Sequence, residues 1–261
     1  MTVNLVTTRH GRFICQDNDM YIGRSLVEYG EYSEAEVSFL LQVARPGDTV
    51  IEGGANIGTI TVPLARRVGP TGRVIAFEPQ RLVFQTLCGN LAMNGIENVH
   101  ARHAALGSIP GQTTIPFVSY GQAVNYGSLR IGCEGGETVP VVTIDSLELP
   151  RLDLLMADVE GCEEDLLRGA VESIARHKPN LYLENNQRGN SSSLLSLLFS
   201  LGYEAWWHLP PLFRPDNFNG KSTDIFGKRI SINIICQHPD RMRPVAGLRK
   251  IAGLDDWWQR D

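Results

Sequence analysis

The sequence predicts an α/β fold, a mostly parallel, doubly wound sheet with helices on both faces, and three observations predict it. From Thr49 onward strand-like and helix-like segments alternate, a glycine-rich turn follows directly on the first strand, and carboxylates stand at four of the five strand ends that would face a ligand. No internal repeat, low-complexity tract or linker divides the 261 residues. We therefore expect one domain over 1–261, with an N-terminal extension and helix over 1–48, a β-rich insertion over 107–140 and a candidate substrate loop over 209–229.

In chain order, the first helical signal is YSEAEVSFLLQVARPGDT, where Ser33 and Glu36 have capping-box spacing and Val37, Leu40, Leu41 and Ala44 form one apolar stripe. TVIEGG then reads as a strand, and 57–68 as a helix kinked at Pro63, because an interior proline removes a backbone bond at about 3 kcal/mol. GRVIAFEP is the next strand. Leu82 to Asn94 is the cleanest helix, with Phe84, Leu87, Cys88 and Leu91 on one face and Gly95 closing it. NVHARHAAL reads as one strand, after which 107–140 breaks into short glycine-rich β-prone pieces. Alternation resumes with VVTIDSLELP, the strand LDLLMADVEG and one helix EEDLLRGAVESIARHK, acidic at its start and basic at its end. NLYLENN is a strand, SSSLLSLLFSLG a serine-capped helix, and YEAWWHL and SINIICQHP the last strands. Between those two lies a turn-rich stretch longer than an ordinary connection, of the kind that forms lids and binding loops.

Composition bounds the function. A net charge of −5 without a local basic patch gives no field for a polyphosphate backbone, so we expect no nucleic-acid partner. The first residues lack the pattern of a secretion signal, and no apolar run approaches the roughly 20 residues that span a bilayer; we expect a cytoplasmic protein and no membrane partner. Five scattered cysteines without Cys-x-x-Cys spacing suggest neither zinc nor a disulfide framework.

In such a sheet the ligand lies beyond the carboxyl ends of the strands, which here are Glu52-Gly53-Gly54, Glu78-Pro79, Ala104-Ala105, Asp158-Val159-Glu160 and Glu184-Asn185. Gly53, Gly54 and Gly58 carry no Cβ and let the backbone approach a ligand closely. Glu78 is placed to accept hydrogen bonds from both hydroxyls of a ribose. Two nucleosides fit. A nicotinamide dinucleotide brings a pyrophosphate, which a carboxylate at Glu52 repels, whereas S-adenosylmethionine brings an ammonium and a sulfonium. The turn also departs from G-x-G-x-x-G, with Ala55 where the second glycine would stand. Asn56 suits a left-handed or helix-capping position, and we expect it to start the first helix beneath the cofactor.

Taken together, DTVIEGGANIGTITVPLARRVGPTGRVIAFEP, NLAMNGIENVHARHAALG, VVTIDSL, DLLMADVEGCEEDLLRGA and SINIIC resemble the FkbM family of S-adenosylmethionine-dependent methyltransferases, from about Ser33 to Cys236 and in the family's order. The resemblance implies a class I methyltransferase fold, Rossmann-like, with a seven-stranded sheet whose last strand is antiparallel, and O-methyl transfer to small molecules, sugars or glycans. It implies cofactor contacts from Glu52, Gly54 and Asn56, from Glu78 at the ribose and from Ala104-Ala105 at the adenine. The family usually has aspartate where Glu52 stands; the extra methylene keeps the charge but moves it.

The reaction needs an aligned acceptor oxygen and a group that takes its proton. Asp158, Glu160 and Glu184 are candidates, Asp158 also as a cofactor contact, and so is His208, read as lying near the mouth of the site. Asp158, Glu184 and Asn185 resemble the set with which catechol-type O-methyltransferases hold magnesium; they bind either a divalent ion or the acceptor itself. Trp206 and Trp207 alternate faces, with Trp207 a candidate to stack on an acceptor ring or sugar, and Asn217 in the long loop is a candidate hydrogen-bonder to a polyhydroxyl acceptor. Plainer roles compete: dipole-complementing charge for Glu160, an ion pair for Glu184, turn chemistry for Asn217. DDWWQ near the end docks either on the domain or on a second subunit, which leaves a homo-oligomer open. An NAD(P)-dependent oxidoreductase and a non-catalytic binding protein on the same fold are the alternatives.

Overall fold

The computed structural model describes residues 3–119, 125–242 and 247–259; residues 120–124 of the expected insertion lie outside the described residues. The strands of the main sheet are β3 (Thr49–Gly53), β4 (Arg73–Phe77), β5 (Val99–Arg102), β9 (Leu154–Ala157), β10 (Asn180–Glu184), β11 (Glu204–His208), β12 (Asn233–Gln237) and β13 (Arg249–Lys250). Their spatial order is β13-β11-β12-β10-β9-β3-β4-β5. β5, β4, β3, β9 and β10 run parallel, and β12 runs antiparallel between β10 and β11. This is the expected seven-stranded sheet plus a two-residue edge strand, β13, paired to Trp206 and Trp207. The chain enters the sheet at β3 and later returns to its other side at β9, so the crevice between these strands is the switch point where a ligand binds.

Period-two alternation builds the two faces. Val50, Val74 and Leu154 pack on one side with α2 (Glu34–Val43), α3 (Thr61–Val68) and α4 (Arg81–Met93). Ile51, Ile75 and Leu155 pack on the other with α5 (Glu163–Arg168), α6 (Val171–His177) and α7 (Arg188–Ser200). The N-terminal residues add a hairpin, β1 (Val3–Thr8) with β2 (Gly11–Gln16), and the helix α1 (Ile22–Tyr29). Two asparagines one turn apart, Asn90 on α4 and Asn94 at its C-cap, close the free edge of β2. Asn90 accepts from Ile14 N at 2.7 Å and donates to Ile14 O at 3.1 Å, and Asn94 does the same at Arg12, at 3.1 and 2.7 Å. Backbone groups that an edge strand leaves unpaired are thereby satisfied.

Five local expectations are corrected. α3 begins at Thr61, so Pro63 is its third residue, where the N–H has no intrahelical partner, and nothing is lost by its absence. Asn56 therefore does not start that helix. The run 99–106 divides between β5 and β6 (Ala105–Leu106); β6 joins β7 (Gly111–Ile115) and β8 (Glu137–Val142) in a separate three-stranded sheet. The helix expected over 163–178 breaks at Gly169, where a Cβ would lie 2.0 Å from Gly107 O: the backbone of the insertion passes against the break. α7 starts at Arg188 behind Gln187, a turn before the serines.

Candidate active site

The carboxyl ends of β3, β4, β9 and β10 open into a cavity of about 410 Å³. Its first wall is the turn after β3. Gly54 has φ +81°, and a Cβ there would stand 1.9 Å from Asp158 O, so only glycine lets the turn lie against the β9 end. Gly54 N and Ala55 N both donate to Phe77 O, at 3.0 and 2.9 Å. Asn56 takes the left-handed conformation, φ +49°; its N donates to Glu78 Oε2 at 2.9 Å and its side chain accepts from Ile57 N at 2.8 Å. Gln80 N holds the other Glu78 oxygen at 2.8 Å. Glu78 is thus fixed in orientation on the cavity wall, and burial pushes it up to about 7 against those two N–H groups, which favour its charged form. Gly53, Pro79, Ala104 and Ala105 line the same half of the cavity. Gly58 is not among the lining residues: a Cβ there would meet Leu87 at 2.8 Å, so its role is to let α4 pack against the turn.

Glu52 is 1% exposed, and its Oε2 has no hydrogen-bond partner. Burial pushes it up to about 8, opposed by the nearby Thr61 hydroxyl, which has no hydrogen-bond partner either. A buried carboxylate oxygen with nothing to accept from is costly unless a donor arrives. An ammonium group fits it and a phosphate does not.

Asp158, Glu160 and Glu184 bring carboxyl oxygens within 4.8 Å of one another. Two unit charges at such a distance repel by about 3 kcal/mol even at an effective dielectric of about 20, so the three do not all ionise together. Asp158 presents more than a third of its surface, but into the walled cavity, and burial lifts it to about 6. Burial also lifts Glu160 to about 7, with Asp158 and Glu163 adding to the rise and Arg130 opposing it. Glu184 rises above the usual carboxylate range through burial and then the charge of Asp158, and its Oε2 is unpartnered. Asp158 and Glu184 thus form a pair that keeps a proton at neutral pH. The acidic helix start that competed as the role of Glu160 belongs instead to Glu163, whose Oε1 accepts from Val159 N and Gly161 N at 3.2 and 3.1 Å. The three cavity carboxylates are a donor set for a hard cation.

Besides Gly58, four expected site residues lie elsewhere. Asn185 is 4% exposed and donates to Ser191 Oγ at 2.9 Å, turned toward α7; Glu160 stands where it was expected. His208 lies behind the cavity wall, stacked on Phe39 at 4.2 Å and bonded to Tyr182 Oη at 2.8 Å; burial lowers it to about 4, so it stays neutral. Trp207 is core, 2% exposed and 5.6 Å from the Trp257 ring, which also docks DDWWQ on the domain. Asn217 staples its own loop, donating to Arg214 O and Lys221 O at 2.7 Å each.

In their place the cavity has Tyr21, Tyr32, Glu36 and Asn233, which the sequence reading missed. Glu36 passed as half of a capping box. Its carboxylate instead accepts from Ser33 Oγ at 2.7 Å and Asn233 Nδ2 at 3.2 Å, and burial lifts it to about 7. The available signal was its place on the Leu40 stripe, where an acid has no packing reason to be.

Residues 52–205 match the family described as Methyltransferase FkbM domain. "Methyltransferase 1" of Beauveria bassiana is 27% identical over 198 residues, covering 66% of this chain and 78% of that protein. The catalytic subunit TRM61 of a tRNA (adenine(58)-N(1))-methyltransferase of Cryptococcus neoformans is 41% identical over 59 residues, 23% of this chain and 14% of its own. Among solved structures, Methyltransferase FkbM from Methylobacillus flagellatus KT is similar at a TM-score of 0.48 and 20% identity, covering 77% of this chain; the match spans half, 50%, of that chain.

Proposed function

This chain belongs to the FkbM methyltransferase family, and from that membership we propose that it transfers the methyl group of S-adenosylmethionine to a hydroxyl oxygen of a small molecule or saccharide. The observation that carries the cofactor is the orphaned, buried oxygen of Glu52 beside a fixed Glu78. Glu52 would take the ammonium, Glu78 the ribose diol, and Ala104-Ala105 would pack on the adenine. When bound, S-adenosylmethionine supplies a methyl carbon made electrophilic by its cationic sulfur. The Asp158–Glu184 pair faces the same cavity and, holding one proton at neutral pH, has an ionised oxygen left to accept the proton of the acceptor hydroxyl. Glu160 completes an oxygen donor set that also suits a divalent cation. Turnover that survives exhaustive EDTA treatment and does not respond to magnesium excludes that role.

No lysine, arginine or histidine is among the described lining residues, which supports a small acceptor over nucleic acid. Among the described residues no helix is long and apolar enough to cross a membrane. Calorimetry tests the reading: S-adenosylhomocysteine binds and NAD does not. Binding of NAD alone would return the chain to the oxidoreductases.

A further inference from the structure

Resting on the methyl-transfer reading above, we infer that the acceptor is a cationic molecule with an apolar, ring-sized body, and neither a polyol nor an anion. The acceptor side of the cavity is assembled from two segments far apart in sequence. Tyr21, Ile22 and Tyr32 come from the N-terminal residues, Leu212 from the long loop, and Ile230 and Ile232 from the residues that join it to β12. They make an apolar, aromatic wall of the kind that takes hydrocarbon or ring surface. The wall is held rather than loose. Glu31 ties Arg9 at 2.8 Å to Phe218 N at 2.9 Å, and the Tyr29 hydroxyl donates to Thr223 O at 3.0 Å and accepts from Ile225 N at 2.7 Å.

Charge gives the second half of the argument. S-adenosylmethionine brings a sulfonium, an ammonium and one carboxylate, a net single positive charge. Against it stand six carboxyl groups lining the cavity: Glu36, Glu52, Glu78, Asp158, Glu160 and Glu184, with no basic side chain among the described lining residues. Glu52 and Glu78 are committed to the cofactor. The remaining four, Glu36, Asp158, Glu160 and Glu184, line the same cavity as Tyr32 of the apolar wall. A molecule resting on that wall meets four carboxyl groups and no basic side chain among the described lining residues, with Arg130 close enough to act on Glu160. These groups can give up a proton to pair with a cation and offer an anion no counter-charge, so a cation is favoured and an anion excluded. The three side chains expected to hold a sugar lie elsewhere: Trp207 is core, Asn217 staples its loop and Asn185 faces α7.

The test is a matched set of one shape and three charges: tyramine, 4-ethylphenol and 4-hydroxyphenylacetate, with methyl α-glucoside as the polyol. Each is titrated calorimetrically into the S-adenosylhomocysteine complex with EDTA present, and each is offered with S-adenosylmethionine while S-adenosylhomocysteine formation is followed. We expect tyramine to bind about tenfold or more tighter than 4-ethylphenol, and no binding of the acid or the glucoside. Ile230→Lys, with Leu212→Lys as a second variant should the first not fold, should reverse the order in favour of 4-hydroxyphenylacetate. The inference is overturned if the acid or the glucoside binds as well as tyramine, or if none of the three phenols binds a complex that holds S-adenosylhomocysteine. Failure of S-adenosylhomocysteine itself to bind sinks instead the reading on which the inference rests.

Discussion

The two halves of the cavity are built differently. The cofactor half is backbone: a turn between Gly53 and Asn56 docked on Phe77 O, with Glu78 clamped by two N–H groups fewer than 25 residues away from it along the chain. The acceptor half is side chains, contributed by positions 21, 22, 32, 36, 184, 212 and 230–233. The first half can therefore hold an invariant nucleoside with local geometry, while the second can change its occupant through single substitutions in loops. Perturbing each half should have separable consequences.

The largest separation is expected at Glu52. Glu52, Glu78, Glu36 and Glu160 all have folded-state values lifted to about 7 or 8, above those of the unfolded chain. The unfolded state then binds fewer protons than the native state between about pH 5 and 8, so the ligand-free protein loses stability as pH rises through that window. Glu52→Gln should flatten the fall, raising the ligand-free Tm at pH 8, and at the same time weaken S-adenosylhomocysteine about a hundredfold. A lower Tm at pH 8 would break the comparison. Glu78→Ala should follow, at about 3 kcal/mol of cofactor affinity for the two lost hydrogen bonds to the ribose, with a lower Tm because Asn56 N and Gln80 N lose their acceptor, as calorimetry and thermal melts would show. Asn56 is intermediate. Because its φ is +49°, Asn56→Leu costs about 1–2 kcal/mol of stability as well as affinity, whereas Asn56→Gly should retain both; denaturant melts and calorimetry separate them. The smallest effect belongs to His208→Phe, which removes one buried hydrogen bond to Tyr182 and should leave S-adenosylhomocysteine affinity within about twofold while costing about 1 kcal/mol in a urea melt. A tenfold loss of affinity there would put His208 back in the site.

The same contrast explains what the sequence made legible. β3, β4, α4, β9 and β10 follow from hydrophobic period, and the carboxylates at 52, 78, 158, 160 and 184 follow from their place at strand ends. Each is a local pattern. His208, Trp207, Asn185 and Asn217 were chosen by residue type in a promising neighbourhood, yet side-chain direction there is set by packing across the sheet: β11 presents Trp207 to the second core, and Ser191 on α7 captures Asn185. Glu36 on α2 and Tyr32 just before it are not marked by local pattern, because the stretch reads as ordinary amphipathic structure until Asn233, 197 residues on from Glu36, is brought beside it. The N-terminal hairpin was missed for the same reason, since its edge is completed by α4 and not by a neighbouring strand.

Proton-linked calorimetry of S-adenosylhomocysteine binding tests the central claim, that Glu52 is the cofactor's ammonium site. With its carboxyl lifted to about 8, Glu52 is mostly protonated at pH 7 in the ligand-free protein and must ionise to meet the ammonium. Titrations in buffers of different ionisation enthalpy should show release of about one proton or more per cofactor bound at pH 7, Glu78 adding its share, and Glu52→Gln should lower that release by about one. Binding without proton release, or with equal release in the variant, would contradict the account.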